Sequence, residues 1–213
     1  MEIFKQIAQG LEAGDDAGVP PLVNQALAQG LVAKTILDEG LIAGMNSVGE
    51  KFRIHEIFLP DVLLAAKAMY AGMDVLKPLL VSAGVSSRGR VVIGSVQGDL
   101  HDIGKNLVGI MLRGAGFEVI DLGNDVAADR FVAAARDQGA LVIGMSALLT
   151  TTMPVMKEVV ERLRQENLSG RIKTIIGGAP VSQDYADEIG ADAYGYDCAQ
   201  AVAGVKKLAA AVG

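Results

Sequence analysis

The sequence predicts a protein of the α + α/β class, with an amino-terminal four-helix bundle followed by a doubly wound, five-stranded parallel sheet. Three observations lead to this prediction. Apolar residues recur at helical spacing through residues 1–81. From residue 91 onward, continuous apolar runs alternate with amphipathic segments. Between the two patterns lies SAGVSSRGR, residues 82–90, whose small and glycine residues are typical of a linker between domains.

Four amphipathic segments make up the first part of the chain. The first segment ends at Gly14. Asp15 and Asp16 are positioned to cap the second, which tolerates Pro20 and Pro21 only in its first turn. Short connections between the segments favour an antiparallel bundle. The inner faces are expected to carry Ile3, Phe4, Ile7, Leu11, Val23 and Leu27 in the first two helices, Leu37, Leu41, Met45, Val48 and Phe52 in the third, and Leu59, Val62, Leu63, Ala66, Met69, Tyr70, Met73, Leu76 and Leu80 in the fourth.

Apolar runs in the second part predict five strands, at residues 91–96, 117–122, 140–145, 172–176 and 192–195. Helices are predicted between and after them, at residues 104–115, 127–138, 153–167, 183–189 and 198–211. Strands that are apolar along their whole length are buried on both faces, which is typical of a parallel sheet covered by helices. The pattern therefore predicts a Rossmann-like (flavodoxin-like) domain. The predicted domains are a helical bundle at residues 1–83 and an α/β domain at residues 91–213, joined by a linker at residues 84–90.

Composition and charge exclude several classes of function. Apolar residues make up 51% of the chain and charged residues 21%, which suits a packed core rather than disorder. The net charge of −6 is spread over both parts without a basic stripe, so nucleic acid is not an expected partner. No apolar run reaches 18 residues and the start lacks the features of a signal peptide, so no membrane contact is expected. With one cysteine, Cys198, and thus no internal disulfide, the sequence predicts a soluble, cytoplasmic protein.

The loop after the first predicted strand concentrates polar side chains. Asp99, His101, Asp102, Gly104 and Lys105 lie within seven residues, just past the carboxyl end of the strand. Open α/β sheets bind their ligands at such ends. A carboxylate two residues before a histidine can accept a hydrogen bond from the imidazole and leave the other nitrogen free as a base or metal ligand. On residue types alone, a loop histidine beside an acid explains the pattern equally well.

Two other kinds of site fit this loop poorly. A phosphate-binding loop has four residues between its glycines and a Ser or Thr after the Lys, whereas five residues separate Gly98 from Gly104 here and Asn106 follows Lys105. A zinc or di-metal hydrolase needs three or more protein ligands, often several histidines. The other histidine, His55, belongs to the helical part and is expected in an exposed loop.

Four segments together carry a resemblance to a known family. Residues 99–104, DLHDIG, match the D-x-H-x-x-G signature of cobalamin-binding domains. Ser146-Ala147-Leu148 after the third strand matches the family's S-x-L, and Gly177-Gly178 after the fourth matches its G-G. Residues 49–69, GEKFRIHEIFLPDVLLAAKAM, resemble the helical cap of these proteins. The chain resembles corrinoid methyl-carrier proteins, namely the corrinoid subunits of methanol, methylamine, betaine and aryl-ether methyltransferase systems and the B12-binding module of cobalamin-dependent methionine synthase.

The resemblance implies that the chain binds cobalamin with its own base displaced from cobalt and His101 as the lower axial metal ligand. Asp99 would hold the other imidazole nitrogen, and Thr152 would lie behind Asp99, where the family usually has a serine hydroxyl. Thr152 also precedes Met153-Pro154, which makes it an equally plausible helix cap. The segment Ala193-Tyr194-Gly195 and Cys198 are expected to have structural roles.

The resemblance also implies a set of further residues in contact with the cofactor. Glycines would admit the bulky nucleotide tail, and a hydroxyl can bond its ribose or base. Phe58 and Leu59 would cover the upper face of the corrin, although an apolar helical stripe of this kind is equally typical of a core. The implied contacts within the α/β domain are Asp102, Ile103, Gly104, Ser146, Leu148, Thr150, Gly177 and Gly178.

The function implied is that of a carrier subunit rather than an enzyme in its own right. A methyl group would travel on cobalt, through methylcobalamin and Co(I) states, from a donor-specific methyltransferase to a second methyltransferase acting on tetrahydrofolate or a thiol. A reductive activase is a further implied partner. Residues 82–89 would form the hinge that lets the cap uncover the corrin.

Three alternatives stay open. An adenosylcobalamin mutase subunit shares the D-x-H-x-x-G signature, and a B12-dependent regulator also has a helical region before this domain. Phe58-Leu59-Pro60 favours the carrier over the mutase, and the sequence shows no basic helix of the kind a regulator needs to bind DNA. A flavodoxin-like redox or receiver domain would explain the sheet but would leave residues 1–81 and His101 without a role.

Overall fold

The computed structural model describes residues 1–83 and 87–212. These residues fall into two compact units, one made of the amino-terminal helices and the other of the sheet with its helices. Residues 84–86 of the predicted linker lie outside the described residues. In the described part of the chain, no helix combines the length and the apolar character needed to cross a membrane.

The helical unit contains the four predicted helices, counted over residues 1–83. The first, second and fourth are α1 (Glu2–Glu12), α2 (Val19–Ala28) and α5 (Leu59–Ser82). The third runs without a break through α3 (Ala33–Thr35), a π-helical segment (Ile36–Ile42) and α4 (Ala43–Arg53). Helix α1 packs against the other three, and its inner residues Ile7 and Leu11 are fully buried.

The π-helical segment changes the face that the third helix buries. The spacing of apolar residues predicts Leu37 inside, but Ile36 is the fully buried residue and Leu37 is only half-buried. A π turn holds one residue more than an α turn, so the buried position moves by one before the series resumes at Leu41 and Met45.

Two apolar residues predicted inside α5 are exposed. The side chains of Leu63 and Tyr70 are 46% and 40% exposed, whereas their neighbours Val62 and Met69 are buried. Adjacent residues of an α-helix point about 100° apart, so both members of such a pair cannot face the same narrow core.

The predicted cap of α2 takes a different form. Gly18, not an aspartate, precedes the helix, and the Asp15 carboxylate accepts the Gly18 N–H at 2.8 Å in the turn before it. Asp16 instead forms an ion pair with Lys67 of α5 at 2.8 Å. The two prolines lie in the first turn of α2, where a missing N–H costs nothing.

The second unit is an all-parallel sheet between helices. Across residues 87–212 the sheet has five strands in the order β2-β1-β3-β4-β5, the flavodoxin-like arrangement, which confirms the predicted fold class. Its elements are β1 (Arg90–Ser95), α6 (Ile103–Gly114), β2 (Glu118–Asp121), α7 (Ala128–Asp137), β3 (Val142–Ser146), α8 (Pro154–Gln165), β4 (Lys173–Gly177), α9 (Gln183–Ile189), β5 (Ala193–Gly195) and α10 (Cys198–Val212).

The register of the sheet lines up the carboxyl ends of four strands. Ser95 of β1 pairs with Ser146 of β3, Ser146 pairs with Gly177 of β4, and Gly177 pairs with Gly195 of β5. The chain reverses its direction of winding between β1 and β3, the place where sheets of this kind leave a crevice for ligands. The loops that follow these four strands therefore begin at the same edge of the sheet.

Candidate functional site

A buried carboxylate holds a half-exposed histidine in the loop between β1 and α6. The Asp99 side chain is fully buried, whereas the His101 side chain is 53% exposed. Asp99 Oδ1 lies 2.8 Å from His101 Nδ1 and also accepts the His101 backbone N–H at 3.0 Å. The ring and the main chain of His101 are thus both fixed by one oxygen.

The second oxygen of Asp99 is bound by the loop that follows β3. Asp99 Oδ2 accepts the backbone N–H groups of Leu148 at 2.7 Å and Leu149 at 3.2 Å, and it lies 3.0 Å from Thr152 Oγ1. Burial by itself would raise the pKa of Asp99, but hydrogen bonds from Leu148, His101 and Thr152 outweigh burial and hold that pKa well below its usual range. The carboxylate is therefore ionised at neutral pH.

The ionised state of Asp99 decides the tautomer of His101. A carboxylate only accepts hydrogen bonds, so Nδ1 of His101 must carry the proton that Asp99 Oδ1 receives. In the neutral ring, Nε2 then keeps an unshared electron pair. The side chain is half exposed, so the site presents an imidazole that is ready to bind a metal through Nε2.

Thr152 acts on Asp99 and not as a helix cap. Helix α8 is preceded by Met153 and has no side-chain cap, so the alternative role predicted for Thr152 is wrong. The buried hydroxyl lies 3.0 Å from Asp99 Oδ2 and 2.8 Å from the carbonyl oxygen of Leu149. A hydroxyl has one proton to donate, so these two oxygens share it.

The sequence reasoning missed Ser95, the last residue of β1. Its buried hydroxyl donates to the carbonyl oxygen of His101 at 2.5 Å and closes the loop back on its own strand. A polar residue at the end of a buried apolar strand was the signal for it, since a buried hydroxyl needs a partner.

Exposed apolar side chains flank His101. Leu100 and Ile103 are 70% and 75% exposed, and Leu148 and Leu149, whose N–H groups bind Asp99, are 42% and 43% exposed. We call these four residues the apolar collar. Clustered apolar exposure of this kind marks a surface that binds a ligand or a partner. Leu100 and Leu149 were not predicted as site residues.

The glycines of the site differ in what they contact. A Cβ on Gly178, whose φ is +131°, would lie 1.8 Å from the Ala147 carbonyl oxygen, so the chain itself requires glycine there. A Cβ on Gly177 would lie 3.0 Å from the Gly195 carbonyl oxygen. A Cβ on Gly104 would meet no atom within 4 Å, so open space adjoins the His101 loop at the start of α6.

The other predicted residues are distributed over both units. Ser146 and Thr150 lie at the carboxyl end of β3 and in the loop after it, and Asp102 accepts the Asn106 N–H through its backbone. Phe58, 67% exposed, directly precedes α5 in the helical unit, and Leu59 is the first residue of that helix; their contact with a cofactor stays a prediction.

Two residues for which the sequence predicts no chemistry differ in their surroundings. His55 is exposed at the end of the third helix. Burial, followed by the nearby Asp197 carboxylate, raises the pKa of the Cys198 thiol to about 11, so that thiol stays protonated at neutral pH.

Comparison with known proteins identifies the family. A family model described as B12 binding domain matches residues 89–203, and a second model of the same description matches residues 3–77. The chain belongs to the family of B12-binding corrinoid proteins. The resemblance stated from the four sequence segments is thereby confirmed, and cobalamin is the cofactor of this corrinoid protein.

Relatives of this corrinoid protein match it over almost its whole length. Dimethylamine corrinoid protein 1 of Methanosarcina acetivorans is 49% identical over 210 residues, 98% of each chain. The trimethylamine corrinoid protein of Methanosarcina barkeri is 42% identical over 96% of this chain and 95% of its own. In the crystal structure of the methanol:cobalamin methyltransferase complex from Methanosarcina barkeri, one chain is similar with a TM-score of 0.86 and 32% identity, over 98% of this chain and 80% of that chain.

The residues of this corrinoid protein fit such a cofactor. The donor that this chain would offer to the cobalt of such a cofactor is His101 Nε2. The exposed apolar side chains of the collar would contact the hydrocarbon parts of the corrin, and the open space beside Gly104 would leave room for the cofactor. Over the described ranges, no three His, Cys, Asp or Glu side chains are grouped so that they could hold a bare metal ion.

Replacement of Asp99 by asparagine should destabilise the apoprotein by about 2–3 kcal/mol at pH 7. Both oxygens of Asp99 accept hydrogen bonds, whereas the side chain of asparagine has one acceptor oxygen and one NH₂ donor group. The NH₂ group would therefore face either the donors of His101 or those of the Leu148 loop, and the hydrogen bonds on that side would be lost. Urea unfolding monitored by circular dichroism measures the loss. Asp102→Asn makes the same chemical change in the same loop and should stay within about 0.5 kcal/mol of wild type.

The loss of unfolding free energy caused by Asp99→Asn should become smaller as the pH falls. The folded-state pKa of Asp99 is lowered, so its ionised form stabilises the fold above the ordinary aspartate pKa, and this stabilisation is lost as the pH falls toward the folded-state pKa. The difference in unfolding free energy between wild type and variant should therefore shrink between pH 7 and pH 3. A difference that stays constant over this range would contradict the network described here.

Two glycine variants should separate folding from cofactor binding. Gly104→Ala should leave the stability of the apoprotein unchanged or slightly raised, because the new methyl group meets no atom and alanine favours the helix. It should nevertheless weaken cobalamin binding, since the methyl group enters the space assigned to the ligand. Gly178→Ala should lower the melting temperature of the apoprotein itself. Thermal melts and equilibrium dialysis with cobalamin check both, and undiminished binding by Gly104→Ala would show that the ligand lies elsewhere.

Proposed function

We propose that this corrinoid protein carries a methyl group between two methyltransferases on a cobalamin whose cobalt is bound by His101. One observation carries the proposal. The fully buried, ionised Asp99 holds Nδ1–H of a half-exposed imidazole and leaves Nε2 free to bind cobalt. Cobalamin, when bound, supplies a cobalt centre that accepts a methyl group from one partner and gives it to another.

The side chains around His101 keep the imidazole in one orientation and one tautomer. Asp99 fixes the ring through Nδ1, and the N–H groups of Leu148 and Leu149 with the Thr152 hydroxyl keep Asp99 from rotating.

The relatives support the carrier role and a methyltransferase partner. The proteins that match over almost their full length are named as dimethylamine and trimethylamine corrinoid proteins. The similar chain in the methanol:cobalamin methyltransferase complex is held together with a methyltransferase. A donor-specific methyltransferase is thus the proposed first partner, and a second methyltransferase with tetrahydrofolate or a thiol as acceptor and a reductive activase complete the proposed system.

The helical part is proposed to act as a cap over the cofactor. Phe58 is largely exposed at the start of α5, and a large apolar side chain that water surrounds is suited to cover a corrin face. In this proposal residues 1–83 form the cap, residues 84–90 the linker and residues 91–213 the cobalamin-binding domain.

Isotope labelling tests cobalt ligation by His101. The chain is produced with nitrogen-15 histidine, loaded with unlabelled cobalamin and reduced to cobalt(II), and its electron paramagnetic resonance spectrum is recorded. Nitrogen-15 splits each cobalt line into two, whereas the nitrogen-14 of the cofactor's own base splits it into three. Two-line splitting is expected in wild type and in His55→Ala, and it should disappear in His101→Ala. Three-line splitting in the labelled wild type would refute the assignment.

Methyl transfer tests the carrier role separately. The loaded chain, reduced to cobalt(I), is mixed with dimethylamine or methanol, with and without the methyltransferase for that donor, and methyl groups on the chain are counted by mass spectrometry of the released corrinoid. Methylation stoichiometric with the chain is expected only when the partner enzyme is present. Methylation by the chain alone would make it an enzyme and overturn the proposal.

A further inference from the structure

The turn that follows β2 holds the backbone of the loop that carries His101. Asp125 Oδ1 accepts the Gly98 N–H at 2.7 Å, and the Asp125 N–H donates to the Asp99 carbonyl oxygen at 3.0 Å. Asp125 therefore binds the main chain on both sides of the Asp99 side chain. It lies 24 residues from His101 in the sequence, and nothing in the composition of its segment singled it out.

The backbone of Asp125 is in an unusual conformation. Its φ is +53°, and within residues 1–83 and 87–212 only His55 and Asn167 share this left-handed region among residues other than glycine. Aspartate and asparagine tolerate it better than other side chains, but it is disfavoured unless neighbouring contacts impose it. Here the conformation aims both the carboxylate and the N–H of Asp125 at the loop.

Contacts from this turn reach His101 by two routes. By the first route, Asp125 binds the main chain at Gly98 and Asp99 and so fixes the backbone position from which the Asp99 side chain extends. Asp99 in turn orients the imidazole. By the second route, the Gly123 carbonyl oxygen accepts the Ser95 N–H and the Val126 N–H donates to the Ser95 carbonyl oxygen, each at 3.0 Å. The Ser95 hydroxyl then binds the carbonyl oxygen of His101.

We propose that Asp125 is a positioning residue that sets the imidazole of His101 for axial ligation of cobalt. The inference rests on the proposed ligation by His101. Asp125 need not contribute a charge, because the Gly98 N–H requires only an acceptor oxygen. An asparagine should therefore replace it, since its amide oxygen can accept the same hydrogen bond and its backbone tolerates the same φ.

The test uses cobalt(II) spectra of nitrogen-15 histidine protein loaded with cobalamin. In Asp125→Ala and Asp125→Gly, the ratio of histidine-bound to histidine-free cobalt should fall about 10-fold, the scale on which residues behind a metal ligand act. Asp125→Asn should restore the ratio to that of wild type. Asp125→Gly relieves the backbone strain while it removes the carboxylate, so it separates loss of the hydrogen bond from strain.

A matched control and a cofactor-free measurement accompany the spectra. Asn167→Ala places alanine at the same kind of left-handed backbone on an exposed position far from the site, and it should lower stability without changing the ratio. In the apoprotein, amide hydrogen exchange at Gly98 and His101 should be about 10-fold faster in Asp125→Ala than in wild type and unchanged in Asn167→Ala.

The outcomes separate this inference from the proposed function. If His101→Ala removes the two-line splitting but both Asp125→Ala and Asp125→Gly keep the wild-type ratio, the role of Asp125 is refuted while ligation by His101 stands. If His101→Ala leaves the spectrum unchanged, ligation by His101 fails and the positioning role fails with it. A lower ratio in Asp125→Ala, accompanied by an equal fall in Asn167→Ala, would reduce Asp125 to a stability residue and would also refute the inference.

Discussion

The buried carboxylate of Asp99 is the interaction on which the site depends. A charge without exposure to solvent is tolerated only if hydrogen bonds replace the lost water, and here five donors from two loops do so. Three of them belong to the loop after β3 and two to His101. The same charge that joins the two loops therefore also fixes the one imidazole in the described part of the α/β unit.

The sheet makes this convergence possible. Ser95 and Ser146 are register partners at the ends of neighbouring strands, so the loops that follow them start side by side. The third loop, after β2, approaches from the other side of β1 and reaches the first through Asp125. A parallel sheet with a change of winding direction between β1 and β3 thus gathers three loops around one side chain, although they are far apart in sequence.

Much of the fold could be predicted because its signals are local. Continuous apolar runs marked the strands, and the two-residue spacing of Asp99 and His101 indicated the hydrogen bond that the structure shows. The remainder depends on contacts that a sequence pattern does not contain. The π turn at Ile36 displaces the buried face by one residue, and the exposure of Leu63 depends on how narrow the bundle core is. Asp125 escaped notice because its partner, Gly98, contributes only a backbone N–H.

The apolar collar has a consequence for the solubility of the chain. Leu100 and Ile103 expose most of their side chains. Exposed apolar surface of this kind favours association with other apolar surfaces. A cofactor bound over the collar would cover this surface, so cobalamin would protect the chain from self-association as well as supply the cobalt.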